Sequence, residues 1–223
     1  MKIKKITLYV FCIMVGFASC SKKDNTDDLI VIPVRDRAEQ QIADKDSLIG
    51  YLETHYYNSG TFINSTNPSI DDLVISELPS DGVLPDSANN TLLIDAIEIK
   101  NTVNVEVDYE YYVLRLNQGG GSEKPHFTDN IRVKFSGNLL NEEVFDSSVS
   151  PVDFDLTRLV VGWNRVMPQF NVAESFSENG DGTISFLNAG VGVMFLPSGL
   201  GFFSGTPSGI PVYSPLIFII YFN

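Results

Sequence analysis

Apolar and polar positions alternate along several stretches of the chain. Ile131, Val133 and Phe135 are separated by Arg132 and Lys134, the period-two pattern of a strand with one buried face. Val103, Val105 and Val107 alternate in the same way and predict a half-buried strand. Leu92 to Ile99 and Tyr109 to Leu116 are further β-type runs, and the chain closes on another, Leu216 to Phe222. A longer period appears once: Leu48, Leu52 and Tyr56 recur four residues apart and predict a helix over Asp44 to Tyr57. Asp44 is placed to cap that helix, and Asn58-Ser59-Gly60 to end it. Residues 64–90 are rich in Asn, Asp, Ser and Pro, and read as turns with a short strand around Leu73-Val74-Ile75. Gly119-Gly120-Gly121-Ser122 reads as a turn between strands, because no Lys-Ser/Thr follows to make it a phosphate loop. No internal repeat is present.

The N-terminus has its own pattern. Lys2, Lys4 and Lys5 precede an apolar run from Ile6 to Phe17, the layout of a secretory signal and shorter than the roughly 20 residues of a membrane span. Phe17-Ala18-Ser19-Cys20 resembles the lipobox of bacterial lipoproteins, which implies acylation of Cys20 after cleavage; an ordinary signal with an incidental cysteine is the alternative. Several acyl chains give stable anchoring, each buried methylene contributing about 0.8 kcal/mol. Ser21 after the cysteine implies the outer membrane, and Ser21 to Asp28 reads as a polar tether. The expected location is therefore the cell envelope, as an outer-membrane lipoprotein on the periplasmic or external side. The other cysteine, Cys12, lies inside the signal, so the remaining chain is expected to use no disulfide and no cysteine-bound metal.

Charge narrows the partners. The chain carries 15 basic and 28 acidic residues, and loss of residues 1–19 removes three lysines, leaving 12 against 28. A balance this acidic argues against nucleic acid and against binding anionic lipid by charge. His55 and His126 lack metal-ligand spacing.

Four segments of the second half together resemble the FK506-binding-protein (FKBP) family of peptidyl-prolyl cis-trans isomerases. They are Phe145-Asp146-Ser147-Ser148, Val160-Val161-Gly162-Trp163, Phe195-Leu196-Pro197-Ser198 and Pro215-Leu216-Ile217-Phe218. The resemblance covers roughly residues 109–223. It implies an α+β fold, an FKBP-like curled antiparallel sheet around a short helix, here with an N-terminal helical and β extension. Together with the N-terminal pattern it divides the chain into a signal (1–19), a lipidated tether (20–35), the extension (36–105) and the isomerase domain (106–223).

The same resemblance implies a proline pocket. Trp163, the only tryptophan, matches the indole floor of that pocket, although a lone Trp is also a common core residue. Phe145 and Phe218 match wall aromatics, Leu159 and Val160 aliphatic wall residues, and the Val160 N–H the donor to a substrate carbonyl. Asp146 matches the carboxylate that orients groups around the twisted amide; a turn residue bonding to its own backbone is the other reading. Phe135, in Val133-Lys134-Phe135-Ser136-Gly137, stands where the family has a tyrosine, and Phe202-Phe203 where its flap has Tyr-Gly. Val152 stands where many members have a bulky aromatic wall. These departures imply a more apolar cavity and weaker binding. Pro168 is expected to shorten or bend the helix after Trp163.

Residues 173–189 form an insertion relative to compact members. Asn179-Gly180-Asp181-Gly182 between Phe176 and Phe186 reads as a hairpin turn, with a calcium loop as a poorer match because Ser177 and Asn188 occupy ligand positions. The expected activity is prolyl isomerisation of proline-containing polypeptides, which needs no metal or cofactor, by a monomer. A binding lipoprotein with weakened turnover is the alternative.

Overall fold

The computed structural model describes residues 33–223. The signal, Cys20 and the tether up to residue 32 lie outside the described residues. Residues 34–223 form one compact unit.

Helix α1 spans Arg37–Thr54, seven residues further toward the N-terminus than its apolar spacing predicts. Its cap is Asp36, whose carboxylate accepts from Ala38 N at 2.9 Å and Glu39 N at 3.0 Å. Asp44 is therefore no cap but a buried residue in the middle of the helix. Leu48, Tyr51 and Leu52 form the buried face, as the spacing requires. The helix stops at Thr54, and Tyr56 belongs instead to a strand, β1 (His55–Tyr57). That strand is the middle of a small antiparallel sheet, flanked by β2 (Ile75–Glu77) and β3 (Thr91–Leu92). A one-turn helix, α2 (Gly60–Ile63), lies between β1 and β2. Another, α3 (Leu93–Ala96), interrupts the apolar run read as a strand from Leu92 to Ile99.

The main sheet has six antiparallel strands. They are β4 (Glu98–Asn104), β5 (Val107–Asn117), β6 (Asn130–Asn138), β7 (Val144–Asp155), β10 (Gly190–Leu196) and β11 (Leu216–Phe222), in the order β4-β5-β10-β11-β6-β7. Strand β10 is buried along its whole length. Its side chains alternate between two cores, which explains why Val191 to Leu196 reads as a continuous apolar run. On one face Val193, Phe195, Tyr112, Leu114 and Ile217 pack against Leu48, Tyr51 and Leu52 of α1. On the other, Met194, Leu196, Phe135, Phe218 and Ile220 pack against the segment that follows β7.

That segment is a 3-10 turn (Leu156–Arg158), a short helix α4 (Val161–Val166) and a second 3-10 turn (Met167–Gln169). Pro168 lies in the second turn, and α4 ends just before it, as proline's missing N–H dictates. Trp163, Val166, Met167 and Phe170 all point into the sheet. Gly162 lets α4 approach β10, since a Cβ there would collide with the Leu196 side chain.

The residue 105/106 boundary falls in a hairpin turn. Strands β4 and β5 pair along their length, so the last part of residues 36–105 shares its sheet with the first strand of residues 106–223. The alternation Val103, Val105, Val107 breaks at this turn. Val105 and Glu106 have positive φ (49° and 60°), and Val103 and Val105 are exposed rather than half-buried. The 173–189 insertion is a two-stranded hairpin, β8 (Ser175–Glu178) with β9 (Ile184–Leu187). Asp181 caps its turn by accepting from Thr183 N and Oγ1, so the turn's own groups use that carboxylate.

Candidate active site: an aromatic cavity over the short helix

Six aromatic side chains from five elements converge on one side of the main sheet. Phe135 comes from β6, Phe145 and Phe154 from β7, Trp163 from α4, Phe218 from β11, and Phe202 from the loop after β10. They line a cavity of about 180 Å³ together with Leu159, Val160, Asp146 and Arg158. An apolar cavity of about 150 Å³ is enough to hold a benzene ring. A five-membered ring and its flanking amide are therefore of suitable size.

The rings are held edge to face. Trp163 meets Phe218 at 5.4 Å between centroids and 75°, Phe135 at 5.9 Å and 84°, and Phe154 at 5.9 Å and 81°. Phe145 meets Phe218 at 5.6 Å and 88°. Each such contact contributes about 0.5–1.5 kcal/mol beyond burial, so the box is fixed before any ligand enters. Trp163 is 3% exposed and closes the bottom of the box. Its depth follows from α4 beginning directly after Val160, which presses the indole toward the sheet.

Gly137 positions Phe145. It pairs with Asp146 across β6 and β7 and with Phe218 across β6 and β11. A Cβ at this position would lie 2.6 Å from Phe145 Cζ and 3.1 Å from Phe218 Cε1. The missing side chain is thus the space that Phe145 occupies.

Polar groups at the cavity are few. Asp146 is exposed at the wall, in a strand rather than a turn, and accepts no hydrogen bond among the described residues. The Val160 N–H, at the N-cap of α4, likewise has no partner among the described residues. Arg158 lines the cavity and its guanidinium lies 3.9 Å from Asp155. Among the described residues no tyrosine lines the cavity; Phe135 and Phe202 line it instead.

Of the residues singled out from sequence, Phe135, Phe145, Asp146, Leu159, Val160, Trp163, Phe202 and Phe218 all line this one cavity. Val152 does not. It pairs with Val133 and packs, half-buried, into the core beside the box, while Phe154 two residues on supplies the aromatic wall. Phe154 and Arg158 were not among the sequence candidates. The period of two along β7 carries the signal for Phe154, since residues 152 and 154 share a face. Arg158 sits on a 3-10 turn, where spacing gives no direction.

The loop that carries Phe202 begins with a 3-10 turn, Ser198–Leu200. Phe202 is 37% exposed at the rim, whereas Phe203 is turned inward and buried. The inversion comes from a positive φ of 51° at Phe203, stabilised by Phe203 N donating to Ser198 O at 2.9 Å and Tyr213 N donating to Phe203 O at 2.7 Å.

Among the described residues no group of three or more His, Cys, Asp or Glu side chains is placed to hold a metal. No helix among them is long and apolar enough to cross a membrane.

No family model and no curated protein matches the chain. Among solved structures it is similar to FkpA from Escherichia coli, at 20% identity and a TM-score of 0.43 over 56% of this chain. That match spans about half of the FkpA chain, 49% of its length. It is also similar to a peptidyl-prolyl cis-trans isomerase from Pseudomonas syringae pv. tomato, at 14% identity and a TM-score of 0.46, over 86% of this chain and 96% of that one.

Proposed function

We propose that the chain is a peptidyl-prolyl cis-trans isomerase of the FK506-binding type that acts on proline-containing polypeptides. The observation that carries this reading is the convergence of six aromatics on a cavity of about 180 Å³, with an unpartnered Val160 N–H and the Asp146 carboxylate at its wall. Rotation about an X-Pro bond faces a barrier of about 18–20 kcal/mol, set by amide resonance that separates charge. Transfer of the amide into the aromatic box removes water from its oxygen and nitrogen and disfavours the planar, charge-separated form. The Val160 N–H is available to a substrate carbonyl, and Asp146 to polar groups around the twisted amide. Interactions stronger in the twisted than in the planar state lower the barrier, each 1.4 kcal/mol giving about a tenfold rate. No nucleophile or general base takes part.

Phe135 and Phe202 favour a second reading, a binding lipoprotein with slow turnover. A tyrosine hydroxyl at either position would add a hydrogen bond of about 0.5–1.5 kcal/mol net. A protease-free isomerisation assay separates the two. Acceleration by the full chain that Asp146→Ala weakens supports the enzyme; peptide binding without acceleration supports the binder. Attachment to the cell envelope through lipid on Cys20 belongs to the same proposal. Incorporation of labelled palmitate into the full chain, lost in Cys20→Ser, is its test.

A further inference from the structure

We propose that Asp44 is a positioning residue for the cavity, a buried latch by which helix α1 holds the Phe202 loop closed. The proposal rests on the isomerase reading for its consequence in catalysis, but not for the latch itself.

Asp44 is 1% exposed, in the middle of α1 and far from the aromatic box in sequence. Its Oδ2 accepts from Ser198 N at 2.7 Å and from Ser198 Oγ at 2.6 Å. Its Oδ1 accepts from Gln40 Nε2 at 2.6 Å, and Gln40 in turn accepts from Arg35 at 2.8 Å. Ser198 is wholly buried and opens the 3-10 turn that leads to Phe202. A carboxylate this buried is costly, and burial pushes its pKa up despite the three hydrogen bonds that oppose the shift. A residue needed only for packing would be replaced by an apolar one without that cost.

The same segment is held from outside. The Arg37 guanidinium lies over the Phe203 ring at 4.0 Å from its centroid and donates to Tyr109 Oη at 3.4 Å. Arg35 lies over Tyr213 at 4.6 Å, and its backbone N–H donates to Tyr213 Oη at 3.0 Å. Phe203 and Tyr213 meet edge to face at 5.1 Å. The contacts that α1 and its leading residues make with this loop therefore flank Phe202, at Ser198 before it and at Phe203 after it. Release of Ser198 frees the base, and Phe202 then no longer covers the rim. Because apparent affinity falls with the fraction of closed loop, the effect is read in KM rather than in kcat.

The test compares the full chain with its Asp44→Ala and Asp44→Asn variants, using amide hydrogen exchange and X-Pro peptide kinetics. In Asp44→Ala the amides of Ser198, Gly201 and Phe203 should exchange about tenfold faster or more, while Val193 and Ile217 of the central strands keep their rates. KM should rise about tenfold with kcat retained, and Asn, which keeps one acceptor oxygen for Ser198, should restore most of both. Unchanged exchange at residues 198–203 would overturn the latch, and so would equal acceleration in β10 and β11, which marks general destabilisation. A fall in kcat with KM held would also overturn it. If the unaltered chain isomerises nothing, the isomerase reading fails, and the exchange result alone decides the latch.

Discussion

Gly137→Ala should weaken proline-peptide binding while leaving the fold nearly as stable as before. The added Cβ would lie 2.6 Å from Phe145 Cε2 and Cζ, against about 3.5–4.0 Å for carbon atoms at ease. Phe145 must therefore move by about 1 Å. The backbone of β6 cannot take up the difference, because residue 137 is paired on both sides, with Asp146 and with Phe218. The half-buried ring lines the cavity, and movement away from residue 137 carries it toward that space. Overpacking ordinarily costs about 1–3 kcal/mol, but a ring beside a void sits at the low end of that range. Replacing glycine within a strand returns about 0.5–1 kcal/mol of backbone entropy. The two nearly cancel, so urea unfolding should shift by about 1 kcal/mol or less. Binding should fall about tenfold, since a ring-sized cavity has no room to lose. Trp163 is the chain's only tryptophan, so its emission reports peptide titrations without a label. Unaltered affinity in a folded Gly137→Ala chain would refute the reasoning, because either Phe145 had not moved or proline binds elsewhere.

Three further outcomes are expected. Phe202→Tyr should tighten peptide binding by about two- to tenfold by supplying a hydroxyl at the rim, measured by the same fluorescence titration. Replacing Val105-Glu106 by Asn-Gly should raise stability by about 1 kcal/mol and Tm by about 2–4 °C in calorimetry, because both residues now hold a positive φ that β-branched Val resists. Glu98→Gln should cost about 1 kcal/mol or less at pH 7. Hydrogen bonds from Arg115 hold the Glu98 carboxyl well down, at about 2, although its side chain is 37% exposed and screened by solvent. A depressed carboxyl contributes stability that is complete above its ordinary value of 4.5 and is lost as pH falls toward 2. The difference between Glu98→Gln and the unaltered chain should therefore close over that window in urea titrations.

The strands of the main sheet were legible both where one face is buried and the other wet, as in β6, and where both faces are buried, as in β5. Ile131, Val133 and Phe135 are buried in β6, and Tyr109 to Leu116 falls within β5. The end of the short helix and the hairpin in the insertion were equally plain, because Pro168 and Asn179-Gly180-Asp181-Gly182 act locally, although the helix (Val161–Val166) contains Trp163 rather than following it. The start of α1 was hidden for a physical reason. Its first buried positions are Gln40, Gln41 and Asp44, and hydropathy reads such residues as solvated. Asp44 is buried only because Ser198, more than 150 residues away, satisfies it. The turn at Val105-Glu106 was hidden because strand pairing overrides the local preference of valine. At the cavity, motif residues arrived together because each is fixed by an adjacent glycine or strand register. Phe154 took the wall position assigned to Val152: the two share a face of β7, but Phe154 pairs with Ile131 one step further along and its ring meets Trp163 and Phe135, whereas Val152 packs beside the box.

The most direct test of the cavity as a proline site is intermolecular nuclear Overhauser contact between a bound X-Pro peptide and the full chain. Proline ring protons should show contacts to the Trp163 indole and the Phe218 ring, lost when alanine replaces the proline. Contacts that instead run to Tyr51 and Ile219, which line a separate cavity of about 170 Å³ on the other face of the sheet, would contradict it.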